Sequence, residues 1–93
     1  MSAARCSHLG MVEVLDLPRE IAGCEECLKT GDRWVHLRMC MTCGGIRCCD
    51  SSPNRHARGH ARASGHPLVR SAEPREDWSW CFEDQALIDV RLG

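Results

Sequence analysis

Apolar positions along the chain come in short runs, and few hold one period long enough to name an element alone. Trp34 to Leu37 (WVHL) alternates loosely and predicts a short strand. Pro67 to Arg70 (PLVR) begins with proline, which cannot donate to a ladder, so it predicts an edge strand. Trp78, Ser79 and Trp80, with Phe82, form a third apolar segment. Ala86 to Leu92 (ALIDVRL) fits a strand or a frayed helical turn equally well. Met11 to Ala22 carries apolar residues without a period and contains Pro18, which predicts an irregular wrap. The one clear helix signal runs from Asn54 to Ser64 (NRHARGHARAS). Ser52 stands before it as N-cap, Pro53 at the first helical position and Gly65 as C-cap. Gly59 inside weakens it by about 1 kcal/mol.

Composition changes this picture. The chain has 93 residues, enough for one domain over 1–93 with its core at about 6–87, and only 4% aromatics from which to build that core. A chain so short is marginal without a staple. It carries eight Cys and five His, far above ordinary usage. Its 12 basic and 13 acidic residues give a formal charge of −1, which argues against binding nucleic acid or anionic membranes through bulk charge. No apolar stretch approaches the roughly 18 residues of a membrane span, and the first ten residues lack the apolar stretch of a secretion signal. The expected location is the cytoplasm, where thiols stay reduced and clustered Cys with His points to metal before disulfide.

The metal-competent residues fall in groups: Cys6 with His8; Cys24 with Cys27; Cys40 with Cys43, then Gly44, Gly45, Cys48 and Cys49; His56, His60 and His66; and Cys81 with Asp84 three residues on. A tight turn aims two thiolates of a Cys-x-x-Cys at one tetrahedral ion, about 2.3 Å from each sulfur. A following Gly lets the backbone turn with positive φ and frees its amides to face sulfur. On the predicted helix His56 and His60 are four apart and share a face, while Arg55, Arg58 and Arg62 point mainly elsewhere. Two metal bonds would anchor a helix too short to persist alone. His66, beside Pro67, can turn back to the same region.

The order Cys-x-His, Cys-x-x-Cys, Trp-Val, Cys-x-x-Cys-Gly, Cys, His-x-x-x-His, His-Pro and Trp-Cys resembles the UBP-type zinc finger, the ubiquitin-tail-binding finger of some deubiquitinating enzymes and a deacetylase. The likeness covers Cys6 to about Leu87, and Trp34 to Arg38, Cys48 to Ser52 and His56-Ala57 look like the short stand-alone bacterial members. It implies an α+β fold: a small zinc-stabilised domain with a short antiparallel sheet, one central helix and long metal-anchored loops. It also implies the pairing of ligands: Cys24, Cys27, Cys48 and His56 on one ion; Cys40, Cys43, His60 and His66 on a second; Cys6, His8, Cys81 and Asp84 on a third. Asp84 replaces a position that is often Cys in the family, and oxygen is a harder ligand. Seven Cys, four His and one Asp make twelve ligands, or three closed tetrahedral sites, and closed sites are structural rather than catalytic. At least two zinc ions, and three if Asp84 ligates, are therefore expected.

The remaining residues bear on function. Cys49 reads as a small buried hydrophobe and His36 as a surface histidine. No G-x-S-x-G or HExxH spacing is present, and no enzymatic activity is expected. In the family a pocket clamps a C-terminal Gly-Gly tail between aromatic walls, and a basic side chain captures its carboxylate. Trp34 and Trp80 match the two walls, and Phe82 stands where the family often has Tyr. The family's carboxylate-binding Arg position holds Asp50, whose charge opposes a ubiquitin tail; Arg47, Arg38 or Arg55 could take its place. The expectation is a module that binds a protein or peptide tail. The alternatives are a nucleic-acid finger using the arginine-rich helix, and a zinc-linked thiol switch at Cys48 or Cys49.

Overall fold

The computed structural model describes residues 8–88; Cys6 and the chain beyond Ile88 lie outside the described residues. The architecture is α+β. One sheet is built from β1 (Leu37–Cys40), β2 (Ile46–Cys48), β3 (Leu68–Ser71), β4 (Ser79–Cys81) and β5 (Ala86–Ile88), all antiparallel, in the order β2-β1-β3-β4-β5. Two helices accompany it, α1 (Glu25–Thr30) and α2 (His56–Ser64).

Three local expectations are corrected. Trp34, Val35 and His36 precede the first strand, which starts at Leu37 and runs into the second Cys pair. The Pro67 segment is central, because Pro67 lies outside β3 and every residue from Leu68 keeps its N–H; β3 pairs with β1 on one side and β4 on the other. Helix α2 begins at His56, not beside Ser52. The buried Ser52 hydroxyl accepts the Val35 N–H at 2.8 Å, so it is not available as a cap. Arg55 instead occupies the cap position in the left-handed region (φ 49°, ψ 47°), and the His56 N–H donates to Cys48 Sγ at 3.2 Å. Gly65 closes the helix as expected, at φ 75°. Of the segment Ala86 to Leu92, Ala86–Ile88 forms a strand, β5, and the rest lies outside the described residues. The residues from Met11 to Ala22 form no regular element beyond a 3-10 turn over Leu9–Met11.

The core is small and split. One cluster gathers Leu37, Met39, Ile46 and Ala72 around Cys24, Cys27 and Cys48, with Val14, Leu17, Ile21 and Trp34 packed on it. The other gathers Met41, Leu68, Cys81 and Ile88 under Val12. The Glu13 and Val14 amides both donate to the Met41 carbonyl, which straps the wrap to the sheet. Helix α2 packs on β1 and β2 through Ala57 and Ala61. It leaves the β3–β5 end of the sheet uncovered.

Candidate metal centres and the aromatic cavity

Three clusters of metal-competent atoms form, each within 4.8 Å: Cys24, Cys27, Cys48 and His56; Cys40, Cys43, His60 and His66; and His8, Cys81 and Asp84. In the first, His56 Nδ1 lies 3.3 Å from Cys24 Sγ, 3.3 Å from Cys27 Sγ and 3.5 Å from Cys48 Sγ, and the last two sulfurs are 3.9 Å apart. In the second, Cys40 Sγ is 3.7 Å from His66 Nδ1, Cys43 Sγ is 3.4 Å from His60 Nε2, and the two ring nitrogens are 3.3 Å apart. In the third, His8 Nδ1 is 3.5 Å from Cys81 Sγ and 3.7 Å from Asp84 Oδ2.

These lengths test whether zinc fits. Tetrahedral bonds of about 2.3 Å to sulfur and about 2.05 Å to nitrogen give edges of about 3.8 Å (S–S), 3.6 Å (S–N) and 3.3 Å (N–N). The S–S, S–N and N–N separations quoted above lie within about 0.3 Å of those edges, and all ligand atoms of each cluster lie within 4.8 Å of one another. Hydrogen bonding accounts for them poorly, since one imidazole nitrogen cannot bond three thiols at once. The thiolate and imidazole donors of the first two clusters are a set that suits zinc, and the third adds the harder Asp84 carboxylate.

Local structure explains how the ligands are aimed. Cys24 caps α1 and its Sγ accepts the Cys27 N–H at 3.4 Å. The same i-to-i+3 bond recurs from Cys43 N–H to Cys40 Sγ at 3.5 Å and from Asp84 N–H to Cys81 Sγ at 3.4 Å. Asp84 thus stands in the turn position that Cys27 and Cys43 hold in the other two. Such amides stabilise charge on sulfur. Helix α1 was not foreseen; the two acids after Cys24, placed in its first turn, are the signal that could have marked it.

The electrostatics follow the same division. Burial, with the neighbouring Cys24 and Cys48 thiols, pushes the Cys27 thiol up to about 12, against a lowering contact from Asn54. Thiols crowded this way need a cation before they ionise together. Burial also raises Cys43, but the Gly45 amide, Cys40 and the Arg47 guanidinium outweigh it and leave the thiol below its ordinary value. Burial and the charges of Arg47 and His66 hold His60 low, in the neutral form that ligates metal.

The uncovered end of the sheet forms a cavity of about 460 Å³. Val69, Trp80 and Leu87 lie in one cross-strand row on its floor. Trp78, Phe82, Arg38, Cys49, Asp50 and Ser51 complete its lining. Two of its rings carry guanidinium groups: Arg38 sits 4.4 Å over Trp78 and Arg58 sits 5.3 Å over Phe82. Arg58 Nε donates to both Asp50 carboxylate oxygens at 3.0 Å, and its Nη2 also bonds Oδ2. The Arg58 hydrogen bond holds the Asp50 carboxyl below its usual range, with Arg55 and Arg38 adding to the effect.

Two expected pocket residues are elsewhere. Trp34 packs on the first core cluster, its ring close against Gly23. Arg47 pairs with Glu25 at 3.0 Å and lies over Gly45, tying α1 to the second Cys pair. Trp80 and Phe82 do line the cavity, together with Trp78 and Arg38. Their position depends on the β3–β4 register, which spacing alone does not supply. Cys49 is buried against Ser52, at 3.6 Å, and His36 is exposed.

The family model for the Zn-finger in ubiquitin-hydrolases and other protein matches residues 24–91. The chain belongs to this UBP-type zinc-finger family. As a UBP finger it is a zinc-binding module, and its family is one of binding domains. The solution NMR structure of protein RPA1320 from Rhodopseudomonas palustris is similar at 44% identity, with a TM-score of 0.79 over 97% of this chain and 85% of that one. No match is found among curated proteins. No helix among the described residues is long and apolar enough to cross a membrane.

Proposed function

We propose that this UBP finger is a non-catalytic recognition module held in shape by three zinc ions, and that its aromatic cavity takes the free C-terminal end of a protein tail. The twelve ligands are Cys24, Cys27, Cys48 and His56; Cys40, Cys43, His60 and His66; and His8, Cys81 and Asp84 with Cys6 completing the third set. Tetrahedral edge lengths and the repeated turn at Cys24, Cys40 and Cys81 support this assignment. Every position on each ion is filled by protein, which leaves none for a reacting water. Zinc supplies cross-linking here and no chemistry.

The cavity carries the recognition reading. Its volume, near 460 Å³, suits a few residues of extended chain, and its apolar floor with a guanidinium at one wall suits a flat backbone ending in a carboxylate. Asp50 stands at the family's carboxylate-binding position, but its charge is matched by Arg58, so capture of the carboxylate falls to Arg38. Calorimetry with short peptides tests this. A free-acid peptide should bind at least tenfold more tightly than its carboxamide, and Trp80→Ala should remove most of the affinity. Equal binding of acid and amide would refute carboxylate capture.

A further inference from the structure

Asp50 lines two clefts. Beyond the aromatic cavity it also borders an outer cleft of about 340 Å³, lined by Asn54, Arg55, Arg58, Gly59 and Arg62. Arg58 and Arg62, four apart on α2, share a face, and Arg55, the cap residue before the helix, lines the same cleft. Gly59 lines it too, and nothing stands within 4 Å of where its Cβ would be, so this arginine stripe has an open dent at its middle. Arg55 and Arg62 form no ion pair with any described residue. Arg58 joins the clefts: it bonds Asp50 on one side and covers Phe82 on the other. The wall between the clefts is thus a single ion pair whose two side chains are 33% and 43% exposed.

We propose that the two clefts form one groove for an acidic protein tail, with its last residues in the aromatic cavity and the acidic residues before them along Arg55, Arg58 and Arg62. This rests on the tail reading above and names the class of tail. From His56, the residue after Arg55, to Arg62 the helix rises about 9 Å, the length of roughly three extended residues. Three arginines against one acid make the outer cleft positive, although the chain as a whole is −1. A long polyanion such as nucleic acid would meet that overall charge, whereas a short acidic segment meets only the stripe.

The test uses the zinc-loaded protein and four octapeptides that share their last three residues. One has three acidic residues before them, one has three lysines, one has three serines, and one is the acidic peptide as carboxamide. The acidic free acid should bind at least about tenfold more tightly than the lysine peptide, with serine between them, and the gap should narrow as salt rises. In Arg55→Asn/Arg62→Glu the acid-over-lysine preference should fall by about tenfold while the penalty for the carboxamide persists. Asn tolerates the left-handed conformation at residue 55, and both side chains are exposed, so the variant folds. Equal binding of acidic and lysine peptides with the carboxamide penalty intact overturns the groove and leaves the tail reading standing. An acidic preference lost in the variant but blind to the carboxamide keeps the groove and removes the tail reading. An oligonucleotide held more tightly than the acidic peptide by the same arginines also overturns it.

Discussion

Gly23→Ala should destabilise this finger far more than one methyl group suggests. Gly23 is buried at φ 147°, a conformation costing a side-chain-bearing residue about 1–3 kcal/mol. An added Cβ would also stand 2.4 Å from both Cη2 and Cζ2 of Trp34, about 1 Å inside ordinary contact. Overpacking of that kind costs a further 1–3 kcal/mol or so, for a total of about 2–5 kcal/mol. Trp34→Ala alone should cost about 2–4 kcal/mol, below the full core value because the ring is half-buried. The two penalties should not add. With the ring gone the overlap vanishes, and Gly23→Ala retains only its backbone part, leaving a coupling of about 1–3 kcal/mol. Urea denaturation of the four proteins at one buffered free-zinc concentration measures this cycle. Because Cys24 is the next residue, chelator competition should also show easier zinc loss from Gly23→Ala. An additive double mutant, or Gly23→Ala of unchanged stability, would refute the placement of Trp34 in the core.

Gly59→Ala should act in the opposite direction, raising stability by about 0.5–1 kcal/mol, since the site is helical and open; a thermal scan checks it. Asp84→Ala should lower the ion count by one while Asp84→Cys retains it, both read by native mass spectrometry; an unchanged count in Asp84→Ala would remove Asp84 from the ligand set. The Asp50 carboxyl should titrate below the ordinary aspartate value by NMR and rise toward it in Arg58→Ala. Its folded pKa is depressed, so the pair's stabilisation is complete above the unfolded value, about 3.9, and is lost as pH falls through the lowered one. The pair is partly exposed, so the gain is small.

Ligand spacing was the most legible feature of the chain. Cys-x-x-Cys is a local geometry, so Cys24 with Cys27 and Cys40 with Cys43 could be read without a fold. Which pair meets which histidine is not local, and that came from family likeness. Gly65 was legible for the same local reason, as a residue free to enter the left-handed region. Ser52 misled because its hydroxyl bonds Val35, 17 residues away, rather than the helix it precedes. Pro67 misled because it lies one residue before its strand. The positions of Trp34, in the core, and Trp78, at the cavity, were not legible for a similar reason. Both are tryptophans beside short strands, and only the pairing of Val69 with Trp80 and the approach of Gly23 to Trp34 separate a cavity wall from core.

Metal content against folding is the decisive measurement. Structural zinc contributes about 10–16 kcal/mol of binding free energy per site, as much as the whole stability of a typical domain. Circular dichroism, followed under reducing conditions while a chelator strips the metal, should show the folded spectrum collapse as zinc leaves and return when zinc is restored. A spectrum and thermal midpoint that stay unchanged in metal-free protein would contradict zinc as the core of this fold.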